Sequence, residues 1–370
     1  MEAQPSTQEK RKKKGRRALF IGLGIVALVV LLVVGGVGYA VSRMNRGAAK
    51  VVSNNGEAVD AEVEALEALG SSEASETPAT LEMKKVPIYE VAKKDPNVTN
   101  ILLVGTDSRQ TAGSQIAGNS DTIILASFNR KTNVVTLASF MRDTVVHAGS
   151  LDGPEDRLKT TYAYGGIGLL INTLNTFYEL DIQGYVMIGL EGFITFIDNA
   201  LDGLDVELSQ DEIDYINRRI EGHENECEAV KKSPLVDAEP GLVHLNGAQT
   251  LVFARNRDTA ADKSGGKGSD FDRVSRQQEV LKLIYKKIVA EKPLTAIPGL
   301  ITFAMQHVET NLSANEIYDM AVPLMTEDIE ITSCTVPFTD MWTSEEGTEA
   351  LIIPMREENV RELSRRLYEQ

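Results

Sequence analysis

Hydrophobic residues cluster unevenly along this chain. No charged residue lies between Arg17 and Arg43, and Ala18–Ser42 is rich in Leu, Val, Ile and Gly. At 1.5 Å per residue that stretch reaches roughly 37 Å as a helix, enough to cross a hydrocarbon core of about 30 Å with some tilt. One transmembrane helix over 18–42 is therefore expected. A cleaved signal peptide is the competing reading, since Gly35, Gly36 and Gly38 would suit a peptidase, but its apolar core is usually only about 7–15 residues. Residues 43–95 are rich in Ala, Glu, Ser and Val and read as an acidic, loosely ordered linker. Within it, Val59, Val63, Leu66 and Leu69 share one side of a short helix over 57–69, if one forms.

Regular patterning begins near Val98. Asn100–Thr106 is a continuous apolar run and reads as a buried strand. Thr122–Phe128 and Asn133–Phe140, joined by Asn129–Thr132, read as a hairpin. Gly165–Leu180 has helical spacing, with Leu169, Leu170, Leu174 and Phe177 on one face. A strand at 185–188, a helix at 191–201 and a short strand at 205–208 follow. Ser209 is a candidate N-cap for the next helix, with Asp211 and Glu212 favourable in its first turn. Asn246–Phe253 reads as helix, Phe271–Ala290 as a long amphipathic helix, 293–326 as two more helices, and 331–336 as a strand. Helices interleaved with strands predict an α/β fold: a three-layer α-β-α sandwich. The hairpin makes the central sheet mixed.

Charge sharpens the division of the chain. Residues 1–50 carry ten Lys or Arg against two acids, a net of +8, which leaves −24 of the total −16 on residues 51–370. Seven of those positive charges lie between Lys10 and Arg17, while the far side of the apolar span offers Arg43, Arg46 and Lys50. The positive-inside rule places residues 1–17 in the cytoplasm and the body outside a cell membrane. The acidic body argues against general nucleic-acid binding, which needs a basic surface. The two cysteines, Cys227 and Cys334, exclude a Cys₄ zinc site and a disulfide-dense scaffold. In an extracellular body they are either a disulfide or two free buried thiols.

The sequence contains no P-loop, HExxH or GxSxG motif. Gly165-Gly166-Ile167-Gly168 reads as a tight start to its helix and lacks the spacing of a dinucleotide fingerprint. The four histidines are scattered, without metal-ligand spacing. Arg and Asp at strand ends are the more distinctive feature. Asp107 and Arg109 follow the first strand, Ser120-Asp121-Thr122 immediately precedes the second, and Arg142-Asp143 follows the third. Arg255, Arg257, Arg273 and Arg276 flank one polar loop. Each Arg-Asp pair could be a structural salt bridge, and Arg276 in its helix could be solvated. Brought to one sheet edge, these residues suit a diphosphate, with Arg forks on phosphate oxygens and Asp107 and Asp121 on a Mg²⁺.

The ordered series NILLVGTDSR (100–109), NSDTIIL (119–125), SFMRDT (139–144), YAYGG (162–166), HLNGAQTLVFARNR (244–257) and DFDRVSRQQEVL (270–281) resembles the LytR-CpsA-Psr family of bacterial cell-wall ligases. The resemblance covers residues 98–290, and six motifs in order make it specific. It implies a catalytic domain over 96–290, with residues 291–370 completing the sheet and covering a lipid groove. It further implies transfer of a glycopolymer (teichoic acid, capsule or another wall polysaccharide) from undecaprenyl pyrophosphate to peptidoglycan through a phosphodiester. Mg²⁺ or Mn²⁺ would assist.

By motif, Asp107 and Asp121 correspond to catalytic, metal-linked carboxylates, either of which is also a candidate general base on the acceptor hydroxyl. Arg142 corresponds to a catalytic, pyrophosphate-binding arginine with Asp143 beside it. Arg109, Arg255, Arg257, Arg273 and Gln277 correspond to further pyrophosphate contacts. Arg157-Leu158-Lys159 replaces the family's Lys-Ile-Asn, so the basic contact there comes from Arg157 or Lys159. Met141 replaces a common Pro. The loop after Arg257, with Lys263 and Lys267, is longer than expected and is a candidate for closing over the pyrophosphate. A polyprenyl-pyrophosphate hydrolase, a non-catalytic polyprenyl-lipid receptor and a transcriptional regulator are the competing functions.

Overall fold

The computed structural model describes residues 51–53, 86–106, 120–222, 226–262, 268–291, 307–344 and 351–369. The predicted span 18–42, Asp107, Arg109, Lys263 and Lys267 lie outside the described residues, as do the basic tail 1–17 and the candidate helix at 57–69. Among the described residues no helix is long and apolar enough to cross a membrane.

The described elements run β1 (Val51–Ser53), β2 (Ile88–Glu90), β3 (Val98–Thr106), β4 (Ser120–Asn129), β5 (Val134–Phe140), β6 (Val145–His147), β7 (Glu155–Arg157), α1 (Leu158–Phe177), β8 (Gly184–Gly189), α2 (Leu190–Leu201), β9 (Leu204–Leu208), α3 (Gln210–Gly222) and α4 (Glu228–Lys231). After these come β10 (Gly241–Leu245), α5 (Gly247–Ala254), α6 (Asp270–Glu291), β11 (Val308–Thr310), α7 (Ala314–Thr326), β12 (Glu330–Val336), β13 (Trp342–Thr343), β14 (Ile353–Pro354) and α8 (Arg356–Tyr368). The central sheet has six strands in the order β11-β8-β3-β4-β5-β12. It is mixed: β3 is antiparallel to β4, β4 to β5 and β11 to β8, while β8 is parallel to β3 and β12 to β5.

The continuous apolar runs follow from burial on both faces. Side chains alternate across a strand, so Ile101 and Leu103 enter one core with Ile124, Phe128 and Leu137. Leu102 and Val104 enter the other with Ile123, Leu125 and Phe140. Residues of α2, α3, α5, α6 and α7 cover the first face; α1 and α8 cover the second. These are the expected three layers. The expected hairpin is β4–β5, with its turn one residue later than the spacing predicts because Asn133 takes a left-handed conformation (φ 56), which Asn tolerates better than most residues.

Several local expectations change. Helical structure begins earlier than predicted, at Leu158, and breaks at the non-helical Gly166 (φ 69), so the glycine run opens the second of two segments joined at a kink. At Gly168 a Cβ would sit 1.8 Å from the Val86 carbonyl oxygen; the glycine admits close approach of that backbone. Of the helices expected within 293–326, the structure describes α7; 292–306 lies outside the described residues. Residues after 307 complete both edges of the sheet, as expected. Cys227 and Cys334 are free thiols packed on opposite faces. Burial pushes the Cys334 thiol up to about 11.

Arg276 is a correction of larger consequence. It is fully buried, with 0 % of its side chain exposed, and pairs with Glu212, 1 % exposed. Its Nε donates to Glu212 at 3.0 Å, Nη1 to the Asn256 carbonyl at 3.0 Å, and Nη2 to Thr259 Oγ1 at 2.8 Å and the Ala260 carbonyl at 3.0 Å. Glu212 also accepts from the Ser209 backbone at 2.9 Å, closing the start of α3 around Ser209 as expected. Removing one member of such a pair strands a buried charge. Arg276→Ala is expected to cost about 3 kcal/mol or more, read as a lower urea midpoint; an unchanged midpoint would contradict the assignment.

Candidate functional site

The carboxyl ends of β3, β5 and β8 and the start of β4 share one edge of the sheet. A cleft of about 490 Å³ opens there, the position where open α/β sheets bind ligands. Leu103, Ile124, Val186, Phe196, Val280 and Ile284 are among its apolar lining; Asp121, Arg142, Arg255, Arg257, Arg273 and Gln277 are among its polar lining. Six of the residues expected from sequence are therefore brought to one cavity. The first strand ends in a bulge between Gly105 and Thr106, both of which line the cleft. Asp107 follows Thr106 directly in the chain.

Arg142 is fixed by its backbone before its side chain acts. The preceding Met141 N–H donates to the Val336 carbonyl at 2.8 Å, and the Arg142 carbonyl accepts from Lys159 N–H at 3.0 Å. The guanidinium then meets three carboxylates: Asp121 at 2.5 Å, Asp143 at 3.3 Å and Asp270 at 3.7 Å. The other oxygen of Asp270 accepts from Arg273 Nη2 at 2.8 Å. Burial works against the charge on Arg142, but Asp270, Asp121 and Asp143 outweigh it and raise its pKa. Arg273 goes the other way, lowered by burial and by Arg142 despite the help of Asp270. Its Nε is buried with no hydrogen-bond partner among the described residues. An orphaned donor in a cleft wall fits an anionic oxygen.

Arg157 and Lys159 stand elsewhere than the motif reading expects. Neither lines the cleft; both hold Asp143, at 3.4 Å and 2.7 Å. They act on Arg142 through that carboxylate. On the other wall, Arg255 and Arg219 share Glu226, whose side chain is 3 % exposed. Tyr215, Arg219 and Asp258 line the cleft as well and belong to none of the expected residues. The sequence signal for Arg219 is only its place on an amphipathic helix, where a basic residue ordinarily faces solvent. Asp270 lies inside a quoted motif, but only the fold brings it to Arg142. Among the described residues, those lining the cleft end at Ile284.

Among the described residues no three His, Cys, Asp or Glu side chains are grouped to hold a metal. Asp121 lines the cleft with 27 % of its side chain exposed, and Arg142 contacts its Oδ1. It fits a Mg²⁺ that takes one or two carboxylates and completes its shell with phosphate oxygens and water. An apolar interior with arginines at its mouth suits an amphiphile with an anionic head.

A match to the LytR_cpsA_psr family extends over residues 61–367. A Bacillus mycoides protein named polyisoprenyl-teichoic acid–peptidoglycan teichoic acid transferase TagU is 29 % identical over 235 residues, 64 % of this chain and 66 % of that protein. The chain thus spans slightly under two thirds of that relative's length. The biofilm regulatory protein A of Streptococcus mutans is 32 % identical over 62 % of this chain and 53 % of its own. The fold is similar to that of a solved LytR-CPS2A-psr family protein, YwtF (TagT), with bound octaprenyl pyrophosphate lipid: TM-score 0.50, 21 % identity, covering 75 % of this chain and 94 % of the other.

The Asp143 cluster gives a pH test. Burial alone would raise the Asp143 pKa, but Lys159, Arg142 and Arg157 overcome it and hold the carboxyl below its ordinary value. A depressed carboxyl stabilises the fold above its unfolded pKa of about 3.9, and the contribution is lost as pH falls through the lower folded value. The melting-temperature gap between wild type and Asp143→Asn should be full at pH 7 and close on acidification below about 4. A gap that widens below that pH would contradict the ion-pair account.

Proposed function

The chain belongs to the LytR_cpsA_psr family, and on that premise we propose that it transfers a glycopolymer from a polyprenyl-diphosphate carrier to peptidoglycan. The observation that carries the reading is the union of an apolar cleft with an arginine-lined mouth in one cavity. That union matches the two ends of a lipid diphosphate. The donor reading is supported by the octaprenyl pyrophosphate of the solved YwtF structure, and the acceptor reading by the printed name of the TagU relative.

In the proposed reaction the acceptor hydroxyl attacks the phosphorus that bears the polymer. A new P–O bond forms, the P–O–P bridge breaks, polyprenyl phosphate departs and the hydroxyl proton leaves to a base or water. Little covalent work falls to the protein, so its contribution is positioning and charge stabilisation. Arg142, Arg255, Arg257 and Arg273 take phosphate oxygens, and Gln277 offers an amide donor. Asp121, together with Asp107, would hold a Mg²⁺, which when bound supplies charge neutralisation on the diphosphate. Asp143, Asp270 and Glu226 hold the arginines apart and aligned. The apolar span 18–42 would keep the body beside its lipid substrate outside the cell membrane, with residues 1–17 in the cytoplasm.

The test incubates the full chain in vesicles with a polyprenyl-diphosphate-linked oligosaccharide, Mg²⁺ and a short peptidoglycan glycan, with products read by mass spectrometry. A phosphodiester-linked conjugate is expected, and Arg142→Ala should lower kcat/KM by about 100-fold or more. EDTA should suppress turnover, and added Mg²⁺ restore it. Polyprenyl phosphate released without any conjugate would replace transfer by hydrolysis.

A further inference from the structure

Arg219 lies outside all six sequence motifs, yet it lines the cleft one helical turn beyond Tyr215. Its guanidinium donates to Glu226 Oε1. The second oxygen of the same carboxylate accepts from Arg255 Nη1 at 3.2 Å. One buried glutamate thus joins an arginine on α3 to the arginine that caps α5, at the wall of a binding cavity. Neutralising Glu226 needs one cation, and Arg255 already supplies it. Two guanidiniums on one carboxylate leave this group of three a net positive charge, and Arg219 has only 28 % of its side chain exposed. Two guanidiniums sharing a wall repel each other, and low exposure weakens the solvent screening that would relieve them. Each carries five N–H donors, and the carboxylate engages one from each. The nearby Tyr215 hydroxyl is pushed up by burial and feels Arg219, Asp258, Glu226 and Arg255. It therefore stays a neutral donor at pH 7.

We propose that Arg219, positioned by Glu226 beside Arg255, is a further binding residue for the diphosphate head of the lipid-linked donor. It reaches the head from α3, whereas Arg142 approaches from the end of β5 and Arg273 from α6. The inference rests on the donor reading above and adds a contact from a helix that the motifs leave out. Glu226 is then a positioning residue, acting through the two arginines.

The test measures binding of octaprenyl diphosphate to the full chain in detergent by calorimetry. Arg219→Ala should weaken affinity about tenfold or more, the loss of a charge-assisted contact. Arg219→Lys keeps the charge without the fork and should fall between. The double variant Arg219→Ala/Glu226→Gln separates contact from neutralisation, and it should remain weak. Wild-type affinity in Arg219→Ala, or its recovery in the double variant, would overturn the proposal. Should Arg219→Ala not fold, Arg219→Gln serves the same comparison. Arg142→Ala is measured alongside. If it loses affinity while Arg219→Ala does not, this inference alone falls. If the wild-type chain does not bind octaprenyl diphosphate, the donor reading falls and takes this inference with it.

Discussion

The site depends on one buried ion pair that never touches it. Arg276 and Glu212 lie almost wholly out of water, where an unpaired charge is costly. Each therefore also satisfies backbone. Glu212 closes the start of α3, and Arg276 takes the carbonyls of Asn256 and Ala260. That single guanidinium fixes the turn carrying Arg255 and Arg257, and it ties α6, which carries Arg273 and Gln277, to α3, which carries Arg219. Residues on two helices and one turn are registered against one another by a group hidden behind them.

The cationic mouth follows a second rule. Arginines gathered in a half-buried cleft repel one another, and the chain separates them with carboxylates. Asp270 sits between Arg142 and Arg273, Asp143 between Arg142 and the Arg157/Lys159 pair, and Glu226 between Arg219 and Arg255. The acids reduce the repulsion and leave each guanidinium with spare donors. An anion that enters thus meets an assembled set of forks.

Much of the architecture is legible in sequence because burial on both faces leaves a simple trace. Asn100–Thr106 and Thr122–Phe128 are nearly unbroken apolar runs, and they are the centre of the sheet. Arg142, Arg255 and Arg273 are legible because they sit in motifs at strand and helix ends. The same logic misplaces Arg157 and Lys159, since a basic residue near a phosphate site reads as a ligand until the fold hands it to Asp143. Arg276, Glu226 and Arg219 fail for a related reason. Whether a charge on a helix faces water or a buried partner depends on a neighbour far away in sequence: 64 residues separate Arg276 from Glu212. The helical turns before Gly166 are missed because two adjacent glycines read as the start of the helix and hide the segment that precedes them.

The parallel pairing of β12 with β5 sets an order of events in time. Until residue 336 has been made, β5 has no partner on that side and stands as an open edge, a surface prone to wrong pairing. Met141 likewise has no Val336 carbonyl to hold it, so Arg142 is not yet seated. A chain that folds as it emerges, amino end first, completes its cationic mouth only after β12 has emerged. This strand serves as a timer, and a nascent chain halted before it holds every motif and no finished site.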